Sequence, residues 1–285
     1  MRLIEQIKPN TVAIVTSEIS NSARLPLRVC RGSVAQRDNL ASQYSAKFMQ
    51  EIDKVSDKKT CSPDGFITAL NNTLGENSIG FGVIPLENPL YAGSLERVCD
   101  IDSKVNSVGG VLVEDTFSTI AGYNFHFPVK KEGKLNINKS TAVHESRHLF
   151  DYICNPKTIN FPSFYIIHKE ERLKDFHSVY NDFVENCYPY TTMKSFKKYM
   201  AKQINKMPRE DAIAVLQCSR NSMKSELNSY NDELKYLKQN PLKNLSSIYE
   251  IHKFLFFMKY KDKISFANEM LKTKLKEARL SNNKG

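Results

Sequence analysis

Apolar residues recur at every fourth position near the N-terminus of the chain. Leu40, Tyr44, Phe48 and Ile52 follow one another in this way, with mostly polar residues between them. An interval of four places such residues on one face of an α-helix. We therefore predict a helix over about residues 34–55.

The following part of the chain has a different pattern. Residues 62–107 contain many glycines, prolines and asparagines, and this composition predicts loops and short strands. Aromatic residues then alternate with polar ones over residues 123–127, directly before Pro128. Alternation of this kind is typical of a strand with one buried face, and proline ends it.

Helix-start residues and helical spacing predict two helices in the next part of the chain. Ser140 or Thr141 can cap a helix that runs to about Ile153 and stops before a proline. A second helix is expected over about residues 169–187, where apolar residues again recur at helical spacing.

The last third of the chain reads as helical throughout. Pro208, followed by two acidic residues, predicts the start of a long helix that reaches about Gln239. Apolar positions alternate with lysines over residues 246–280, and this predicts a further helix.

These elements predict an α+β protein with three parts. The first is a mixed, partly helical segment over residues 1–60, and the second is a domain with a small sheet over residues 61–190. The third, residues 191–285, is an all-helical region.

Charge is distributed unevenly along these parts. The last 95 residues carry 20 Lys and Arg against 9 Asp and Glu, whereas residues 1–190 carry 21 against 22. A basic region can recruit an acidic partner, and dispersed lysines are also typical of a solvated helical face. Both readings remain open for residues 191–285.

Cysteine usage and hydropathy indicate the compartment. Six cysteines are widely spaced without a CxxC pair, which suits free thiols in a reducing environment. No stretch has the length of a secretory signal or a membrane span. We expect a cytoplasmic protein, or one exported without a conventional signal peptide.

The chemistry of the chain is indicated by the HExxH motif of His144, Glu145 and His148. Two histidines four residues apart on a helix are separated by about 40° around the axis and about 6 Å along it, so both can bind one zinc ion. The glutamate next to them can take a proton from a water molecule on the zinc and deliver it to the leaving amine. The alternative is an exposed helix that contains two histidines by chance.

Residues around the motif favour a metal cleft. A predicted strand precedes the motif, and a predicted helix cap lies just upstream of it. The same helix has an apolar face, formed by Ala142, Val143, Leu149, Phe150 and Ile153. A helix that buries one face can point its histidines the other way.

From residue 109 to residue 190, the chain resembles the zincin metallopeptidases, in particular the gluzincin branch and bacterial effector proteases of that kind. The resemblance implies a Zn²⁺ cofactor, a protein or peptide substrate and a third zinc ligand on the helix that follows the motif. It also implies that an extended substrate lies antiparallel to the strand before the motif helix, near residues 123–127. The charged residue Arg147 departs from the usual pattern, and a cation there must find a partner or point to water.

Asp151 has two interpretations. It lies three residues after His148, so it can orient that imidazole by accepting its ring N–H. It can equally be an acidic residue that faces solvent.

Several residues could provide the third ligand. Glu185 is favoured, because its surroundings resemble the second helix of gluzincin-type proteases. The alternatives are the other acidic or imidazole side chains of the same helix: Glu170, Glu171, Asp175, His177 and Asp182. A donor for the developing oxyanion could come from His177, Tyr188 or Tyr190.

The sequence thus predicts a zinc-dependent endopeptidase in which Glu145 activates water and His144, His148 and Glu185 hold the metal. The rival hypothesis is a helical adaptor without enzymatic activity, which binds an acidic partner through residues 191–285. Metal content distinguishes the two.

Overall fold

The fold was analysed in a computed structural model of the chain. The structure describes twelve segments: residues 15–16, 33–56, 59–75, 80–86, 94–99, 107–108, 111–112, 120–128, 135–155, 170–184, 192–240 and 246–282. Within them lie seven helices: α1 Val34–Lys54, α2 Pro63–Leu74, α3 Lys139–Cys154, α4 Glu170–Val184, α5 Met193–Lys206, α6 Arg209–Gln239 and α7 Ser246–Asn282. The eight strands are β1 Val15–Thr16, β2 Thr60–Cys61, β3 Gly80–Leu86, β4 Ser94–Cys99, β5 Ser107–Val108, β6 Val111–Leu112, β7 Ile120–Pro128 and β8 Ile137–Asn138.

The chain divides into two compact units. The first comprises residues 1–103, 117–154 and 235–240, and the second comprises 104–116, 155–234 and 241–285. The first unit thus contains the main sheet, α1, α2, α3 and the last turn of α6. The division after Cys154 differs from the boundary at 190 that the sequence suggests.

The main sheet of the first unit has four strands in the order β1-β3-β7-β4. β7 pairs in parallel with β3 and antiparallel with β4, so it is an inner strand. This corrects the expectation that residues 123–127 form the edge on which a substrate lies. The edge strand beside β7 is β4, and α3 contacts it.

The predicted alternation of β7 is confirmed in its burial. Tyr123, Phe125 and Phe127 are buried, whereas Asn124 and His126 are partly exposed. Because successive side chains of a strand point to opposite faces, the three aromatic rings enter one core.

Aromatic contacts join the helices of the first unit to this sheet. The ring of Phe66 on α2 meets Phe125 edge-on, with ring centroids 4.8 Å apart. Phe48 on α1 lies 5.9 Å from Phe66 and 6.0 Å from Phe150 of α3. Edge-to-face pairs at these separations add to the stabilisation from burial, so α1, α2 and α3 share one hydrophobic core.

Helix α2 was not expected, because the composition of residues 62–107 predicted only loops and strands. Ser62 caps it by accepting the backbone N–H of Gly65, and Pro63 occupies its first turn. It ends at Gly75, whose φ of 93° lies in the left-handed region that favours glycine. These signals outweigh its two asparagines.

Helix α3 carries the motif and confirms the predicted bounds to within one residue or so. Its start differs in detail from the expected cap. The side chain of Asn138, and not that of Ser140 or Thr141, accepts the backbone N–H of Ser140 at 3.0 Å. Asparagine fills this position well because its carbonyl satisfies a helix N–H that has no partner within the helix.

The second unit is built mainly from helices, as predicted for the last third of the chain. Its core combines aromatic residues of three helices, among them Phe183 of α4, Phe196 of α5 and Phe266 of α7. α6 and α7 have the bounds that the sequence predicts to within two residues.

Candidate metal centre

Both motif histidines are buried on α3. His144 is 7% exposed and His148 is 8% exposed, and their ring centroids lie 5.1 Å apart. The motif helix is therefore buried, which contradicts the alternative of an exposed helix. The spacing of four residues brings the two rings together on one face of the helix.

Glu145 lies between these histidines in sequence and is also buried, at 6% exposure. An ionised carboxylate is costly to bury unless polar partners or a cation accompany it. Buried acidic side chains are more common at functional sites than elsewhere, so the burial of Glu145 on the helix of the two histidines makes it a candidate general base.

The buried side chain of Arg147 forms hydrogen bonds with Asp151 and Ser42. Its Nε donates to Oδ1 of Asp151 at 3.0 Å, and Nη1 donates to the hydroxyl of Ser42 on α1 at 3.2 Å. Asp151 is only 3% exposed, so the solvent-facing interpretation of this residue is wrong.

The two motif histidines can supply part of a zinc site. Catalytic zinc takes three protein ligands and keeps one coordination position open, and two imidazoles on one helix face are common members of that donor set. His144 and His148 therefore fit the metal that the motif implies.

The candidates predicted for the third ligand are placed as follows. Glu185 lies outside the described residues, and Glu170 and Glu171 lie in the first turn of α4. Asp175 is exposed and Asp182 is partly exposed.

Of the three expected oxyanion donors, His177 alone lies among the described residues. Burial lowers the pKa of its imidazole, and its buried Nε2 has no hydrogen-bond partner among those residues. Tyr188 and Tyr190 fall outside the described residues.

Sequence reasoning missed the pairing of Arg147 with Asp151. Residues four apart lie next to each other on a helix, so the opposite charges at this spacing are the signal that could have predicted the pair.

Comparison with known proteins adds no relative. No protein-family model, curated protein sequence or solved structure matches the chain. Among the described residues, none of the helices is long and apolar enough to cross a membrane.

Proposed function

We propose that the protein is a zinc-dependent metallopeptidase with a zincin-like catalytic unit. The observation that carries the proposal is the burial of His144, Glu145 and His148 on one helix, with the two imidazole ring centroids 5.1 Å apart. A zinc ion held at such a site lowers the pKa of water and polarises a peptide carbonyl.

Each residue has a distinct role in this proposal. The two imidazoles and one carboxylate hold the metal and leave one position open. Glu145 holds no metal: it removes a proton from the attacking water and transfers that proton to the amine nitrogen as the peptide bond breaks. Glu185 stays our candidate for the third ligand, because its sequence surroundings resemble the second helix of gluzincin-type proteases.

Strand β4 is our candidate for substrate binding. Among the described strands, it lies at one edge of the main sheet, and it contacts α3. An extended peptide can add to such an edge through main-chain hydrogen bonds. A substrate held this way would be recognised largely through its backbone, so the substrate class is an unfolded segment or an exposed loop of a protein.

Zinc stoichiometry tests the metal site. We expect about one zinc per wild-type chain and a large loss of zinc in His144→Ala, since a site with three protein ligands loses one of them. Glu185→Gln should also weaken zinc binding. Glu210→Gln is the matched control, because it makes the same chemical change in the exposed first turn of α6.

Glu145→Gln tests the mechanism separately from the metal. The variant keeps the size of the side chain, so it should retain zinc while cleavage of unfolded casein falls about 100-fold to 10,000-fold or more, which is the usual contribution of a general base. Near wild-type cleavage with zinc bound would contradict the proposed role of Glu145. A zinc-free wild-type protein after purification with added zinc would instead favour the adaptor hypothesis.

A further inference from the structure

An ion pair lies inside the motif helix, beside the proposed metal ligands. The side chain of Arg147 is 5% exposed and that of Asp151 is 4% exposed, and their closest nitrogen and oxygen atoms are 3.0 Å apart. The guanidinium of Arg147 also reaches Ser42 of α1. The pair is therefore anchored to a neighbouring helix of the same unit.

Helix geometry gives the direction in which this pair acts. At about 100° per residue, Asp151 lies within about 60° of both His144 and His148 around the axis, and one turn beyond His148. Side chains on a helix tilt toward its N-terminus, and residues three apart have Cβ atoms about 5–6 Å apart. This spacing brings the Asp151 carboxylate within reach of the imidazole of His148.

We propose that Arg147 and Asp151 position the metal-binding imidazole of His148. Arg147 holds Oδ1 of the carboxylate, and the remaining oxygen accepts the ring N–H of His148. A ring held in this way presents its other nitrogen to the metal in a fixed tautomer and orientation. This inference rests on the proposed function, since it assigns His148 to a metal.

The proposal explains why a cation stands inside the motif. A carboxylate buried in a helix packed on all sides is costly without a positive partner, and a guanidinium supplies both the charge and a planar set of donors. The hydroxyl of Ser42 accepts a hydrogen bond from a second nitrogen of the same guanidinium, and this limits the rotation of the guanidinium. The three side chains form one chain of hydrogen bonds that leads from α1 to the histidine.

The test uses a variant that removes the pair without leaving an unpaired buried charge. In Arg147→Met/Asp151→Leu, apolar side chains of similar length replace both partners, and such exchanges are often neutral or stabilising. We expect the metal-free variant to unfold in urea near the wild-type midpoint. Its zinc affinity, measured by competition with a chromophoric chelator, should fall about 10-fold to 100-fold, as it does when the partner of a ligand histidine is lost.

A matched exchange elsewhere controls for the removal of a buried ion pair as such. Lys253 and Glu233 join α7 to α6 at 3.0 Å, with side chains 13% and 0% exposed. Glu233→Leu/Lys253→Met should keep wild-type zinc affinity. The absorption spectrum of the Co²⁺-loaded protein should change only in the Arg147/Asp151 variant, because it reports ligand geometry.

Wild-type zinc affinity and an unchanged Co²⁺ spectrum in the folded Arg147/Asp151 variant would overturn the inference and leave the pair as a structural contact. A wild-type protein that binds no zinc would instead overturn the proposed function. If the double variant does not fold, the near-isosteric Asp151→Asn decides: a loss of about 10-fold in zinc affinity supports the inference, and an unchanged affinity contradicts it.

Discussion

Helices α3 and α7 belong to one chain but are stabilised in opposite ways. α3 has 16 residues, and all of them except Tyr152 are buried. α7 has 37 residues and leaves large apolar side chains in water, namely Phe254, Leu255, Met258, Leu275 and Leu280. The helix with the candidate chemistry is thus enclosed, whereas the longest helix rests on its unit along a narrow stripe.

The two helices differ in the number of ionisable side chains that they bury, and burying such side chains costs free energy. The interior around α3 takes up His144, Glu145, Arg147, His148 and Asp151, although each of them is hydrated more favourably in water. On α7, most of the lysines remain at least partly exposed. Ionisable residues concentrated in an interior are more typical of a functional site than of a scaffold.

The largest expected effect comes from truncating an apolar residue on each of the two helices. Phe150 of α3 is 0% exposed, and Leu275 of α7 is 39% exposed. Phe150→Ala should lower the free energy of unfolding by about 3–5 kcal/mol through lost burial and a cavity. Leu275→Ala should lower it by less than about 1 kcal/mol. Urea unfolding followed by circular dichroism measures the free energy of unfolding of both variants. Equal losses would contradict the proposed difference between the two helices.

A smaller effect is expected from replacing a buried and an exposed lysine of α7. Lys263 is 0% exposed; its ammonium donates to the backbone oxygen of Phe183 at 2.6 Å and lies 4.9 Å from the ring centroid of Phe196. Lys263→Ala should cost about 2–3 kcal/mol, since a charge-assisted hydrogen bond and packing are lost together. The exposed neighbour Lys261 is the control, and Lys261→Ala should stay within about 0.5 kcal/mol of wild type. Similar losses for both variants would mean that burial does not set the contribution of lysines on this helix.

The smallest effect concerns two buried thiols, one in each unit. Burial raises the pKa of Cys61 in the first unit to about 11 and that of Cys218 in the second to about 12. Since the thiolate is the reactive form, neither should be alkylated by iodoacetamide at pH 8.5 until the protein unfolds. Mass spectrometry of the alkylated peptides measures this, and labelling of either thiol in the folded protein would contradict it.

The same thiols give a pH dependence of stability with a defined sign. The folded protein keeps these protons at pH values where the unfolded chain, with a thiol pKa of about 8.5, has lost them. Their contribution to stability is therefore complete below about pH 8.5. It declines as the pH rises through the folded values of about 11 and 12.

Periodic patterns predicted much of the fold because they act locally. The bounds of α1, α3, α6 and α7 followed from apolar spacing and helix-start residues, and the alternation in β7 predicted its buried face. Free thiols are confirmed for the three described cysteines with side chains in the interior: Cys61, Cys154 and Cys218. α2 was missed because glycine and asparagine were given more weight than the cap at Ser62 and the proline that follows it.

Relations between distant parts of the chain could not be predicted in this way. The pairing of β7 with strands on both sides depends on β3 and β4, which no local pattern in β7 specifies. Spacing on one helix predicted a site at His144, Glu145 and His148. It could not specify the third ligand, because a ligand from another element leaves no signal in the spacing within α3. The role of zinc and the peptidase activity stay predictions.

The path of α6 has a consequence for how the protein is made. Tyr236, in the last turn of that helix, belongs to the hydrophobic core of the first unit and donates to Asp53 of α1 at 2.6 Å. During synthesis the N-terminal part of a chain usually folds first. Here the N-terminal core stays incomplete until residue 236 has left the ribosome exit tunnel. A nascent chain stalled before that point exposes the apolar surface that Tyr236 covers, and it depends on chaperones for longer than its early helices suggest.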